Sequence, residues 1–270
     1  MPAVLVQKAF MRQANQDPAL ALSFPGAVTP GNTVFVSCVS YAGVANQYTI
    51  VDNQGNTYVR DFMVPTDGSS SVTHICFWRC DNVKATGTFT VTFDGNASSA
   101  DLYIAEFSGL AGGAPDAHKS GRTSGTDFPG SQSLTPTQAA DLFITIYDFG
   151  GNQSGSTVSI SPNTPDAFTL IDTEPDGSAY NGGGWAYLAA TAGDSAAKSV
   201  NAWTHALGDT SQIASWSITA YKTGVAGPSN PPQQLLPDAD LATTGWSTAP
   251  LWSKVDEIPA GGDVISAVSS

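Results

Sequence analysis

"VTPGNTVFVSCVSYAG", residues 28–43, and "LTPTQAADLFITIYDFGG", residues 134–151, follow one plan: Thr-Pro, a short polar turn, then a strand closing on glycine. Their strand portions alternate with period two and are rich in Val, Ile, Phe and Tyr, the composition of a pleated, half-buried surface. The same alternation recurs outward from both. "AVLVQKAF", "ALALSF", "YTIVD", "TYVRDFMV", "THICFWRCD", "GTFTVTF" and "DLYIAEFSG" read as strands around the first stretch. "FTLIDTE", "GWAYLAAT", "SVNAWTHA" and "IASWSITAYK" follow the second. Clusters such as "VDNQGNTY", "FDGNAS" and "PDGSAYNGGG" supply the positive-φ residues of tight turns.

Further pairs echo across the chain: "YTIVDNQGNTY" with "FTLIDTEPDGSAY", and "TFTVTFDGNASSADLYIAEFSG" with "SVNAWTHALGDTSQIASWSITAYK". Helical periodicity is nearly absent. These features predict an all-β fold, an antiparallel β-sandwich that is jelly-roll-like, with two pseudo-repeated halves sharing one core. "GGAPDAHKSGRTSGTDFPG", 112–130, reads as a surface crossing between the halves. The expected organisation is a β-sandwich domain over 1–223, a Pro-rich linker over 224–237, and a C-terminal arm or truncated second module over 238–270.

The net charge is −13, with 10 Lys and Arg against 23 Asp and Glu, and no basic cluster interrupts it. Such a surface repels phosphate backbones, so nucleic acid is not an expected partner. The apolar start "AVLV" is too short for a signal peptide, and no stretch reaches the ~18 apolar residues of a membrane span. Cys76 and Cys80 lie about 13 Å apart on an extended strand, beyond disulfide reach. Either could reach Cys38, but three packed, reduced thiols is the expected state.

Candidate chemistry is sparse. His74, His118 and His205 are scattered; His74 shares a strand face with Cys76, Trp78 and Cys80, but ligands four residues apart on a strand cannot hold one ion. "DNQGN" (52–56) and "DTEPDG" (172–177) offer oxygens of the kind calcium selects, but read as hairpin turns. No metal and no cofactor is therefore expected. Glu106 sits on an apolar strand face with Leu102 and Ile104, without the second carboxylate a glycosidase needs, and reads as a structural acid bonded to a cation or backbone amide. No catalytic residue is assigned, and the chain is not expected to be an enzyme. Tyr180, Trp185 and Tyr187 stand beside a glycine-rich turn as candidate glycan contacts, set against their strand positions, which favour core packing.

"FPGAVTPGNTVFVSCVSYAG", "VDNQGNTYV", "LYIAEFSGL", "AADLFITIYDFGG", "FTLID" and "ASWSITAYK" resemble a β-sandwich module widespread in bacterial secreted proteins and phage structural proteins, over about residues 3–222. "LLPDADLATTGWSTAPLWSKVDEIPAGGDVISAVSS" resembles the opening of a module of phage virion proteins, in which a Gly-Trp and an "LW…DE" element precede a strand-rich domain. The first resemblance implies a non-catalytic display or binding domain, the second a phage particle.

The expected function is a phage virion structural protein, in a capsid-decoration, head-fibre or tail-associated role. It would be made in the host cytoplasm without a signal peptide and located in the virion. Its expected partners are other virion subunits, further copies of the chain included. The alternative is a glycan-binding module of a secreted or cell-surface bacterial protein, with a host-surface glycan as ligand. In the tail, four prolines in "GVAGPSNPPQQLLPDAD" make a semi-rigid spacer. Beyond it, Trp246, Leu251, Trp252, Val255 and Ile258 present apolar surface on a segment too short to bury a core alone. These five are the expected docking residues.

Overall fold

The chain divides into two units, residues 1–226 and 227–270. The computed structural model describes residues 2–13, 19–41, 48–64, 73–94, 99–124, 132–138, 141–150, 157–160, 166–174, 181–191, 194–200, 203–206 and 213–224, all in the first unit. Every described element is a strand, and every pairing is antiparallel.

The first half comprises β1 (Val4–Gln13), β2 (Ala19–Ser23), β3 (Thr33–Tyr41), β4 (Thr49–Asp52), β5 (Val59–Val64), β6 (Thr73–Cys80), β7 (Thr90–Asp94) and β8 (Ser99–Ser108). They form a five-stranded sheet, β1-β8-β3-β6-β5, and a three-stranded sheet, β2-β7-β4. The second half comprises β9 (Ala117–Ser124), β10 (Gln132–Leu134), β11 (Leu142–Gly150), β12 (Thr157–Ile160), β13 (Thr169–Glu174), β14 (Asn181–Ala189), β15 (Lys198–Val200), β16 (Trp203–Ala206) and β17 (Ile213–Tyr221). Its five-stranded sheet runs β13-β14-β11-β17-β9, accompanied by the pairs β10-β15 and β12-β16. Read from β9, this order repeats the first sheet strand for strand. β10, β15 with β16, and β12 likewise stand where β2, β7 and β4 stood.

The repetition extends to an irregularity. Edge strand β5 bulges between Arg60 and Phe62, and edge strand β13 bulges between Leu170 and Asp172. Bulges twist an edge away from further pairing. Counting from them, Phe77 and Trp185 are equivalent, and their rings meet edge-on, centroids 5.8 Å apart. Cross-strand register then matches Ser37 with Ile146, and so Phe35 with Ile144. Aligning the two stretches on Gly43 and Gly151 would instead match Phe35 with Phe143. That is a slip of one residue, which exchanges the faces of a strand. Phe35 indeed packs with Ile144, whereas Phe143 lies on the other side of its sheet.

The expected single core is three apolar layers. Leu20, Leu22, Ile50, Val91 and Phe93 of the three-stranded sheet pack on Val34, Val36, Trp78 and Ile104 of the first five-stranded sheet. The opposite face of that sheet, with Phe35, Phe77, Tyr103 and Phe107, packs on Leu142, Ile144, Ile146 and Trp185 of the second. Beyond it, Phe143, Tyr147, Trp216 and Ile218 pack with Leu134 and Phe168. Both five-stranded sheets are thus covered on both faces, and runs 33–40, 74–80, 100–107, 141–148 and 214–221 are buried at every position. Strands in that situation carry apolar side chains at both parities instead of alternating.

The stretch 112–130 is more than a crossing, since Ala117–Ser124 is edge strand β9. "AHKSGRTS" has no apolar alternation, and its backbone pairing to β17 places it. Gly121 sits directly under Trp216, where an added Cβ would lie 2.8 Å from the indole.

Candidate functional site

Strand direction sorts the connections between two ends of the layers. At the end where β17 finishes, the connections 24–32, 53–58, 81–89, 109–116, 135–141 and 190–197 join strands. At the far end, the strands are joined through 14–18, 42–47, 65–72, 95–98, 125–131, 151–156, 175–180 and 207–212, segments outside the described residues. The polar clusters detailed below stand at the first end.

Glu106, fully buried near the end of β8, accepts hydrogen bonds from Gln7 Nε2 (2.6 Å), Thr29 N (2.8 Å) and Asn32 Nδ2 (2.5 Å). Gln7 continues the network to Gly26 N and Ala27 O. The carboxylate therefore clasps β1 and the 24–32 connection onto β8. An isosteric amide would turn an N–H toward these donors. Glu106→Gln should accordingly cost roughly 1–3 kcal/mol, read by urea unfolding; unchanged stability would refute the clasp.

A second cluster joins the halves. Asp61, the extra residue of the β5 bulge, receives two bonds from Arg79 Nη1 (3.1 and 3.2 Å) and one from the Tyr221 hydroxyl of β17 (2.9 Å). Arg79 Nε also donates to Asp81 (2.9 Å), which accepts from Gly113 N (2.9 Å). Burial pushes Asp61 up to about 6, against the opposing pull of Arg79 and Tyr221. The shallow dent beside this cluster, lined by Leu110, Gly112, Gly113 and Lys222, has no interior room for a ligand.

The third cluster is a carboxyl pair. Asp116 accepts from Thr137 N (2.5 Å) and the Thr137 hydroxyl, and lies 3.4 Å from Lys222 Nζ. Burial alone would raise Asp116; the Thr137 bonds, followed by those from Asp141 and Lys222, hold it below its ordinary value. Asp141, fully buried, accepts from Gln138 Nε2 (3.0 Å) and interacts with the Asp116 carboxyl. Burial, then the Asp116 charge, takes it to about 6, Gln138 opposing.

Asp52 closes a turn, but not the expected hairpin: the strands it joins, β4 and β5, lie in different sheets. Its carboxylate accepts from Gln54 N, Asn56 N, Asn56 Nδ2 and the Tyr58 hydroxyl. Asn56 Oδ1 accepts from Lys84 N, so the turn's oxygens face N–H and O–H donors rather than a cation. Asp172 pairs with Lys8 at 3.7 Å. Among the described residues no group of three or more His, Cys, Asp or Glu gathers as a metal site.

Trp185 is fully buried, edge-on to Phe77 and Tyr103, so neither ring face is open to a sugar. As a candidate glycan contact it is therefore corrected to a core residue. Tyr187, half-buried, packs edge-on against Phe107. Tyr180 and the docking residues Trp246, Leu251, Trp252, Val255 and Ile258 lie outside the described residues. The large exposed hydrophobics among those described, Val4, Val6, Val51, Val59 and Leu170, include no aromatic ring. His74 is fully buried; exposed His118 lays its ring on Phe62 at 4.4 Å and bonds Thr219. The side chain of His205 lies outside the described residues. Cys38, Cys76 and Cys80 are free and buried.

The Arg79 and Asp116–Asp141 clusters were not singled out from the sequence. Their members are brought together across the fold, Asp61 and Tyr221 from 160 positions apart. Compared with known families, curated proteins and solved structures, the chain matches no family model, no curated protein and no solved structure.

Proposed function

We propose that this chain is a non-catalytic structural protein of a phage virion, a surface-displayed β-sandwich that assembles through its C-terminal segment. The doubled strand order carries this reading. An order of one-eight-three-six facing two-seven-four is that of a jelly roll, an architecture of viral capsid subunits and of lectins. Each half is read as one jelly roll, with β5 and β13 moved onto the larger sheets. Two further features support display. The acids and the arginine at the β17 end serve to fasten connections. The far-end connections include the Gly- and Ser-rich stretches "PTDGSSSV" and "GNQSGS", a composition that suits the variable loops of a displayed module.

Removing residues 225–270 should leave unit 1 folded while abolishing its incorporation into particles, as seen by negative-stain imaging and sedimentation. Trp246→Ala with Trp252→Ala should weaken incorporation in the full chain. Incorporation unchanged by either alteration refutes docking through the tail. A free monomer that binds a glycan array in place of a particle would favour the lectin reading.

A further inference from the structure

Cys38 on β3 and Cys76 on β6 stand directly opposite each other across an antiparallel pair. Both thiols are free and fully buried, in the layer between the first five-stranded sheet and the three-stranded sheet. Cys80 stands opposite Val34, about 13 Å further along the pair. Opposed residues in such a ladder have Cα atoms about 4.5–5.5 Å apart, inside the range of about 4.4–6.8 Å that a disulfide spans. We propose that Cys38 and Cys76 form a latent oxidation site, closing under peroxide to a cross-strand disulfide that fixes β3 to β6, while Cys80 takes no part.

In the closing reaction one thiol gives up its proton, and its sulfur attacks a peroxide oxygen. The O–O bond breaks, leaving S–OH on the protein and a hydroxide that takes the proton and becomes water. The second sulfur, also deprotonated, displaces hydroxide from the first, forming the S–S bond and a second water. The two sulfurs lose two electrons and the peroxide gains them. Burial, followed by the neighbouring Cys76, Asp101 and Asp148, pushes the Cys38 thiol well above its ordinary value, and burial pushes Cys76 to about 12. Thiolate is scarce in the closed layer, so the reaction is slow and gated by local opening. The reduced protein is accordingly folded without the bond.

The test treats the full-length protein with hydrogen peroxide at pH 8, alkylates remaining thiols, and maps the digest by mass spectrometry. The expected product has lost two hydrogens and carries a peptide pair joined through Cys38 and Cys76. Cys80→Ser should form it equally well, and its melting temperature should rise by roughly 5 °C or more over the reduced form. Cys38→Ser and Cys76→Ser should not form it, but the linked peptide of the unaltered chain decides the matter even if those variants fail to fold. A bond to Cys80, a bond between chains, sulfinic acid at either position, or thiols left reduced under conditions that oxidise the unfolded chain would each overturn the assignment.

Discussion

Arg79→Ala should lower the stability of unit 1 by about 3–5 kcal/mol at pH 8, the cost of leaving a buried charge without its partner. The side chains of Arg79 and Asp61 are 5% and 2% exposed, so water cannot replace the lost bonds. Two bonds to Asp61 disappear with the guanidinium, leaving that carboxyl with the Tyr221 hydroxyl, and Asp81 keeps only Gly113 N and a long contact to Thr33. Both residues that lose bonds, Asp61 and Asp81, belong to the first half, and they reach the second through Tyr221 and Gly113, so the penalty should appear in the unfolding of the whole unit. A second readout separates charge from packing. Because Asp61 takes up a proton at about pH 6, the penalty should shrink between pH 8 and pH 5. Pairing Arg79→Met with Asp61→Leu, which removes both charges and keeps volume, should recover most of the loss. A penalty independent of pH, or a double variant as unstable as Arg79→Ala, would show that the ion pair is not the source of the loss.

How much of this was legible beforehand depended on whether a signal was local. Strand positions were, because alternation and turn chemistry act within a few residues; β3, β6, β8, β11 and β17 stand where their sequences place them. The layering was not. In "VFVSCVSY" the two parities are both largely apolar or small, and only the facing sheets reveal that Phe35 and Val36 enter different cores. β9 was missed because its eight residues hold their place through the backbone and through Gly121 under Trp216, neither of which leaves an apolar pattern. Glu106 was legible as a structural acid in an apolar strand, though its partners are two side-chain amides and one backbone N–H, with no cation among them. Asp61 was not singled out. Its inward turn follows from the bulge between Arg60 and Phe62, a register event that no residue in "TYVRDFMV" announces.

Unit 1 should be more stable at pH 4.5 than at pH 7.5, and the sign follows from two carboxyls. Asp61 and Asp141, ordinarily near 3.8, both titrate at about 6 in the folded unit, chiefly because burial disfavours their charged forms. Between those values the folded state holds protons that the unfolded chain has released. Their contribution is therefore complete below about pH 4 and is lost as pH rises through 6. After allowance for solvent screening each carboxyl contributes about 1–2 kcal/mol, so the melting temperature should fall by roughly 5–10 °C between pH 4.5 and 7.5. His118 works in the opposite sense, because burial lowers its value and its contribution is lost as pH falls below the usual imidazole range. So does Asp116. Its depressed value stabilises the fold above the ordinary carboxylate range, and that contribution is lost only on further acidification. The net charge of −13 pushes the same way as the first pair, because protonating surface acids relieves self-repulsion in the compact state. The variant Asp141→Asn separates the two causes. An amide there mimics the protonated acid by keeping an oxygen for Gln138 and offering an N–H to Asp116, while total charge hardly changes. It should raise the melting temperature at pH 7.5, leave it nearly unchanged at pH 4.5, and flatten the profile between. If the profile of Asp141→Asn instead runs parallel to that of the unaltered protein, the slope belongs to diffuse surface charge and the carboxyl pair has no part in it.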